Sequence, residues 1–317
     1  MDPICHTLVG ASLACTGLEK KARFGRSTLI IAANLPDIDV AAMFWGGAAA
    51  YGFRRGITHG LPALVVLPVI LALLMLALSR LRPARDGVDS SFRCLLLLSA
   101  IGVVSHPMLD WLNTYGMRWL MPMVDQWYYG DTLFIVDWMM WLILATGLLL
   151  TRRMASGDQP ALRRPAVLAL LTMTAYVGAN FAITQQAERV TLAELQSNPP
   201  TRLMASPVAL NPLRRDLVLE YPDEYRFATY RLNDSPTFAM DPLTIARGDP
   251  ADLELARQDR DGAWFLHWAR FPYSVSQVGR GQRVIKMADA RYVRQIDNPR
   301  LDGFGVFTVT IREGEGQ

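Results

Sequence analysis

Two uncharged runs constrain this chain more than any other feature: residues 61–79 and 166–187 are 19 and 22 residues long and contain no Asp, Glu, Lys or Arg. A helix rises about 1.5 Å per residue, so either run can cross a hydrocarbon core of about 30 Å. Residues 94–113 and 132–150 are also long enough, but they carry His106, Asp110 and Asp137. Residues 4–18 are short, and residues 27–45 are broken by Pro36, so these two are expected as partial, tilted or re-entrant elements. The first expectation is an α-helical integral membrane domain of about six hydrophobic segments over residues 1–187.

From Arg189 the pattern changes to short alternating runs at 217–221, 225–232, 264–270, 282–289 and 304–311, separated by Pro, Gly and Asp. Period-two alternation with aromatic and branched residues predicts antiparallel strands, hence a β-rich soluble domain over 188–317. Residues 197–212 hold four prolines and read as a loop or linker, and His267 reads as a strand histidine on a solvated face. With 51% hydrophobic and 19% charged residues, the chain is neither disordered nor an ordinary cytosolic enzyme. Lys+Arg against Asp+Glu is 15 to 11 over residues 1–183 and 17 to 18 beyond, so no nucleic-acid partner is expected. Cys5, Cys15 and Cys94 all lie in apolar segments, which implies no disulfide framework. The N-terminus has no basic stretch or cleavage site, so the first segment is expected to be retained.

Positive charge orients the domain. Loops 19–27, 80–93 and 151–164 each carry four Lys/Arg, whereas loops 46–60 and 114–130 carry two and one. The basic loops are expected in the cytoplasm. With six alternating segments, the N-terminus and the tail then fall on the far side, periplasmic for a bacterial inner-membrane protein.

That orientation, drawn from Lys and Arg alone, sends the polar groups of the apolar half to one membrane face. His6 opens the first segment there, Asp37 and Asp39 close the second, and His59 precedes the third; His106 and Asp110 occupy the far-side half of the fourth. Each charge inside a bilayer costs at least about 2.5 to 3.5 kcal/mol at mid-depth, so convergence points to one buried polar site. His106-Pro107-Met108-Leu109-Asp110 puts imidazole and carboxylate on one helical face. Alone, that spacing fits a plain histidine–carboxylate hydrogen bond equally well. Asn34-Leu35-Pro36-Asp37-Ile38-Asp39 adds two carboxylates beside a helix-breaking proline, and Arg54-Arg55-Gly56-Ile57-Thr58-His59 adds a histidine next to cations.

Imidazole with carboxylate is the ligand set of zinc or a related divalent ion, and a coordination position left to water makes such a site hydrolytic near neutral pH. Expected ligands are His6, Asp37, Asp39, His59, His106 and Asp110, with Asn34, Asn113 and Asp137 orienting them. Asp131 is expected to cap the fifth helix. Trp111, Trp119, Trp127, Tyr128 and Tyr129 are expected at the membrane interface.

The combination His6, Pro36-Asp37-Ile38-Asp39, Arg55-x-x-Thr58-His59 and His106-x-x-x-Asp110 resembles the membrane-bound metal-dependent hydrolases of the YbcI and YdjM type over roughly residues 1–150. The order of ligands is also similar to that of zinc-dependent phospholipase C. That resemblance implies a main site of Asp39, His59, His106 and Asp110, with Asp110 shared with a second ion near His6. A further His-x-x-x-Glu pair of that family is missing here, so one or two ions are expected and not three.

The leading expectation is a membrane-embedded hydrolase acting on a phosphoester of a lipid or lipid-linked substrate. Asp37 or Asp39 would be general base, and Arg55 would pair with the substrate phosphate. A homo-oligomer is compatible with the tail. The alternatives are a cation or small-molecule transporter, which buried carboxylates on broken helices also describe, and a non-enzymatic regulator stabilised by metal.

Overall fold

A computed structural model describes residues 1–81, 91–154, 164–238, 244–279, 282–293 and 308–312. In chain order its helices are α1 (Pro3–Cys15), α2 (Gly25–Ala32), α3 (Gly47–Phe53), α4 (Ala63–Leu81), α5 (Phe92–Trp111), α6 (Trp138–Met154) and α7 (Arg164–Glu194). Then follow β1 (Arg202–Val208), β2 (Asn211–Glu220), β3 (Glu224–Arg231), β4 (Thr237–Phe238) and β5 (Thr244–Ala246). The chain continues through α8 (Pro250–Gln258), α9 (Arg260–Trp268), β6 (Pro272–Gly279), β7 (Gln282–Asp289) and β8 (Thr308–Arg312). A 3₁₀ turn spans Leu18–Lys21 and a longer 3₁₀ stretch spans Leu35–Trp45. Parts of the basic loops 80–93 and 151–164, and the start of the run 304–311, lie outside the described residues.

Two compact units emerge: Met1–Asp39, Arg55–Ala182 and Ala209–Pro212 form one; Val40–Arg54, Ile183–Val208 and Leu213–Gln317 form the other. In the first, α4, α5 and α7 are long and apolar enough to cross a membrane, and α2 with the 3₁₀ stretch after it makes a fourth if that pair, bent by 44°, counts as one span. Six spans are therefore not what the described helices provide. Length sets this limit: at about 1.5 Å per residue the 13 residues of α1 cover about 20 Å, short of a full hydrocarbon core, and the 17 described residues of α6 about 25 Å.

Local chemistry sets the helix starts. Asp2 caps α1 by accepting from the Ile4 and Cys5 amides, and Pro3 sits where its missing N–H costs nothing. The apolar run 132–150 becomes helical only at Trp138, because Asp137 Oδ1 accepts from the Met139 and Met140 amides. Asp131, expected as that cap, instead sits six residues earlier at φ 46° in the extended lead-in. Asp137 also takes the Tyr176 hydroxyl of α7 at 3.0 Å. Asp137→Ala is thus expected to cost about 1–2 kcal/mol, one cap plus one charged hydrogen bond, read as a lowered thermal midpoint in detergent.

Packing around α2 positions the site. A Cβ on Gly10 of α1 would fall 2.9 Å from the Leu29 carbonyl, and one on Gly102 of α5 only 2.4 Å from the Ala32 Cβ. Two helices therefore close on the Leu29–Ala33 backbone at glycine contacts. Leu29 and Ala32 join Leu71, Ala72, Leu95, Leu98 and Val103 in one core cluster. A second cluster gathers Cys5 and Val9 of α1 with Leu109, Leu133, Met140 and Leu144.

The second unit holds two antiparallel sheets, one of five strands with β1-β2-β3-β4 in order and β5 on β3, the other β6-β7-β8. Val218 and Phe227 meet Phe271, Tyr273 and Ala288 of the three-stranded region, while Leu217, Leu219 and Tyr230 meet Ile183 and Ala187 at the end of α7. Burial on both faces leaves the middle of the large sheet with little exposed surface.

Two readings of the tail are corrected. The run 264–270 is not a strand but the second half of α9, capped by Asp259 and burying Gly262, Phe265 and Trp268 at helical spacing, with His267 exposed on the other face. The proline-rich stretch 197–212 is not a linker throughout: it supplies β1, an outer strand where Pro207 is tolerated, and opens β2. In addition, Val40–Arg54 groups with the tail. Tyr51 of α3 stacks on Trp268 at 4.7 Å between ring centroids and meets Phe265 edge-on, and Phe53 meets Trp264.

Candidate metal centre

Four side chains from three segments meet inside the first unit: Asp37 from the 3₁₀ stretch, His59 from the turn before α4, and His106 and Asp110 from α5. One ligand atom from each lies within 4.8 Å of all the others. Three are fully buried; Asp37 keeps 16% of its side chain exposed.

The hydrogen bonds around the imidazoles determine which nitrogens face inward. His106 Nδ1 lies 2.7 Å from the Ala33 carbonyl, which can only accept, so Nδ1 carries the proton and Nε2 a lone pair. His59 Nδ1 faces Asp39 Oδ2 at 3.2 Å and Thr58 Oγ1 at 3.0 Å. Thr58 itself donates to Asp39 Oδ2 at 3.1 Å, so the His59 proton also belongs on Nδ1. In their neutral forms the two rings place acceptor Nε2 atoms facing each other 3.1 Å apart. Such a pair repels unless a proton or a cation lies between them. Burial opposes a proton on His59, but its bonds to the Asp110 and Asp39 carboxylates outweigh burial and raise its pKa.

The spacing suits a cation. Four ligands at about 2.0–2.1 Å from zinc in a tetrahedron stand about 3.3–3.4 Å apart. Here Asp110 Oδ2 lies 3.5 Å and 3.6 Å from the two Nε2 atoms, and Asp37 Oδ1 lies 3.9 Å and 3.8 Å from them. The three buried groups are near ligand spacing, and the exposed Asp37 stands slightly back. A divalent ion held here would act as a Lewis acid and acidify a coordinated water.

The remaining expected residues occupy other places. Asp39 accepts the Arg55 amide at 2.7 Å and the Thr58 hydroxyl, and holds His59 Nδ1; it orients a ligand and is not among the four. His6 stacks on His106 at 3.7 Å between centroids and reaches the other Asp110 oxygen, Nε2 to Oδ1 at 3.2 Å. The Met1 amino group bonds to that same Oδ1. Arg55 is 3% exposed: its Nε lies 2.8 Å from Asp110 Oδ2, Nη2 donates to Asp110 Oδ1 at 3.0 Å, and Nη1 donates to Asn113 Oδ1 and the Gly116 carbonyl. Its guanidinium also lies over the Tyr115 ring. These contacts direct Arg55 to Asp110 and not to an outside phosphate. Asn113 is held by Arg55 and the Tyr115 amide, so it acts one step behind Asp110. Asn34 ties α2 to Thr7 of α1 and to the Ile30 carbonyl, and Asp137 caps α6 and accepts from the Tyr176 hydroxyl.

Two contributors have no signature as residues. The Ala33 carbonyl is backbone, and Gly102, one turn before His106, is what lets that carbonyl approach. Gly102→Leu is expected to destabilise the protein by about 1–3 kcal/mol and to weaken zinc binding, because it pushes α2 and its carbonyl away from His106. Thermal unfolding and zinc titration check both effects.

These features define a helical membrane protein with a buried His/Asp centre that could hold a metal ion. The chain belongs to the YdjM inner membrane protein family, which matches residues 1–187. No curated protein and no solved structure matches the chain.

Proposed function

We propose that the chain is a membrane-embedded, metal-dependent hydrolase acting on a phosphoester of a lipid or lipid-linked substrate at the periplasmic face of the inner membrane. The observation that carries this reading is the pair of Nε2 atoms 3.1 Å apart, closed by Asp110 and left partly open at Asp37. A fully closed set of buried ligands would suit a structural ion; one ligand at the surface suits a site that admits water and substrate.

Each residue then has a role. His59, His106 and Asp110 would hold the ion, zinc by donor chemistry, and Asp37 would complete the set and serve as the base for an attacking water. Asp39 and the Ala33 carbonyl orient the two imidazoles, and Arg55 balances the charge of Asp110. A bound ion would supply the positive charge that draws the phosphate. Ile38 and Ile57, 51% and 58% exposed, flank Asp37 and His59 in sequence, which favours a substrate presented by the bilayer. His6 would take part only if a second ion sits across Asp110, so one equivalent of metal assigns the four-residue centre and two would bring in His6. The periplasmic placing of the tail rests on the loop charges and is tested by reporter fusions after residue 187.

The activity test is release of water-soluble phosphate or headgroup from mixed phospholipid vesicles by zinc-loaded protein. Hydrolysis by wild type that disappears in Asp37→Asn is the expected result. Asp39→Asn should retain activity but need about 10–100-fold more zinc, the usual cost of losing an orienting partner. Stoichiometric metal without hydrolysis of any lipid class, together with cation flux through proteoliposomes, would replace this reading with the transport one.

A further inference from the structure

Outside the metal centre, α6 and the first turns of α7 border an apolar cavity of about 800 Å³. Leu142, Ile143 and Leu150 line it from one helix and Leu168 and Leu171 from the other, with Arg164 at one end. The helices touch beside it: a Cβ on Gly147 would fall 2.3 Å from the Ala169 Cβ. Leu142, Leu150, Leu168 and Leu171 are all exposed, so the cavity is an open groove.

Charge gathers at a single end of this groove. Arg152 and Arg153 stand in the last turn of α6, just beyond Leu150, and α7 begins at Arg164. All three are exposed, and none makes a hydrogen bond or ion pair among the described residues. A leucine-walled groove ending in three guanidiniums matches one amphiphile in particular: apolar chains along the wall and an anionic head at the cations. A zwitterionic lipid would bring its own ammonium to the three cations, and a second copy packed through the same groove about an axis along the membrane normal would bring three more guanidiniums to that end.

We propose that the α6–α7 groove binds an anionic phospholipid, with Arg164 receiving its phosphate and Arg152 and Arg153 adding to the local positive charge. Because α6 runs away from the α5–α6 connection, this end is remote in topology from Asp110, at the far end of α5. The bound lipid is therefore a resident partner and not the substrate. Nothing in this inference depends on hydrolysis.

The test is native mass spectrometry of the full chain released from nanodiscs containing equal phosphatidylglycerol and phosphatidylethanolamine. Wild type is expected to retain phosphatidylglycerol preferentially, and the preference should fall about fivefold for each guanidinium removed in Arg164→Gln, Arg152→Gln and Arg153→Gln. Leu168→Trp, which fills the groove without touching charge, should lower retention of the lipid itself. Equal retention of the two lipids by wild type overturns the proposal, as does a preference unchanged in the triple variant. A lipid-free dimer sealed through Leu168 would also overturn it. If the arginine variants do not fold, the wild-type ratio and Leu168→Trp decide.

Discussion

His106→Ala and Asp110→Asn are expected to purify without metal, whereas wild type, prepared without chelator, carries about one equivalent of a divalent transition metal. The expectation rests on orientation as much as proximity. His106 Nε2 faces the cluster because Nδ1 is committed to the Ala33 carbonyl, so alanine removes a ligand atom that the fold has already aimed. Asp110 Oδ2 is the only carboxylate oxygen of the four-residue group that is both fully buried and within 3.6 Å of both imidazoles. Elemental analysis of the purified proteins reads the result, with His267→Ala as the control that should keep its metal, since that histidine is exposed on α9. Metal retained in both variants would remove the centre. Because every ligand must shed its proton to bind, metal content should also fall as pH is lowered from neutral through the histidine range, and recover on return.

Replacing Arg55 by Met should have the largest effect on stability. The guanidinium is buried and makes its closest charge contacts with Asp110; removing it leaves a carboxylate in the interior without its nearest cation. Breaking a buried pair in this way costs about 3–5 kcal/mol, more than most core truncations. Zinc should recover part of the loss, since a cation on Oδ2 restores some of the missing charge. The zinc-induced rise in thermal midpoint is therefore expected to be larger in Arg55→Met than in wild type. Arg55→Lys should not rescue fully, because a single ammonium cannot reach both Asp110 oxygens, Asn113 and the Gly116 carbonyl together. A variant within about 0.5 kcal/mol of wild type would show that Asp110 does not depend on Arg55.

Much of the centre was legible before any coordinates, because charged groups in apolar segments are costly and must be compensated together. His59, His106 and Asp110 follow from that argument. The choice between Asp37 and Asp39 does not: a Asp-x-Asp pair after a proline can present either carboxylate, and only the 3₁₀ path of Leu35–Trp45 turns Asp37 to the imidazole nitrogens and Asp39 to their backs. The role of Arg55 was hidden for a similar reason, since its partner is 55 residues away and side-chain reach is not written in spacing.

The fold shows the same division. Helix existence followed from long apolar runs, whereas helix starts depended on which acidic residue met the first free amides, Asp137 and not Asp131. In the tail, Trp264, Leu266 and Trp268 alternate as a strand would, yet Gly262, Phe265 and Trp268 also recur at helical spacing. Short apolar runs satisfy both periods, and the Asp259 cap selects the helix.

The excursion Val40–Arg54 bears on how this protein can be divided or recombined. It leaves the helical unit immediately after Asp39 and returns at Arg55, two residues joined by a 2.7 Å hydrogen bond, and in between it lends α3 to the aromatic face of α9. A gene fragment ending at residue 187, the limit of the family match, would therefore carry one half of a packed aromatic seam without the other. The span between Asp39 and Arg55, more than the junction near residue 187, is the stretch to exchange when grafting one member's sheet-bearing portion onto another.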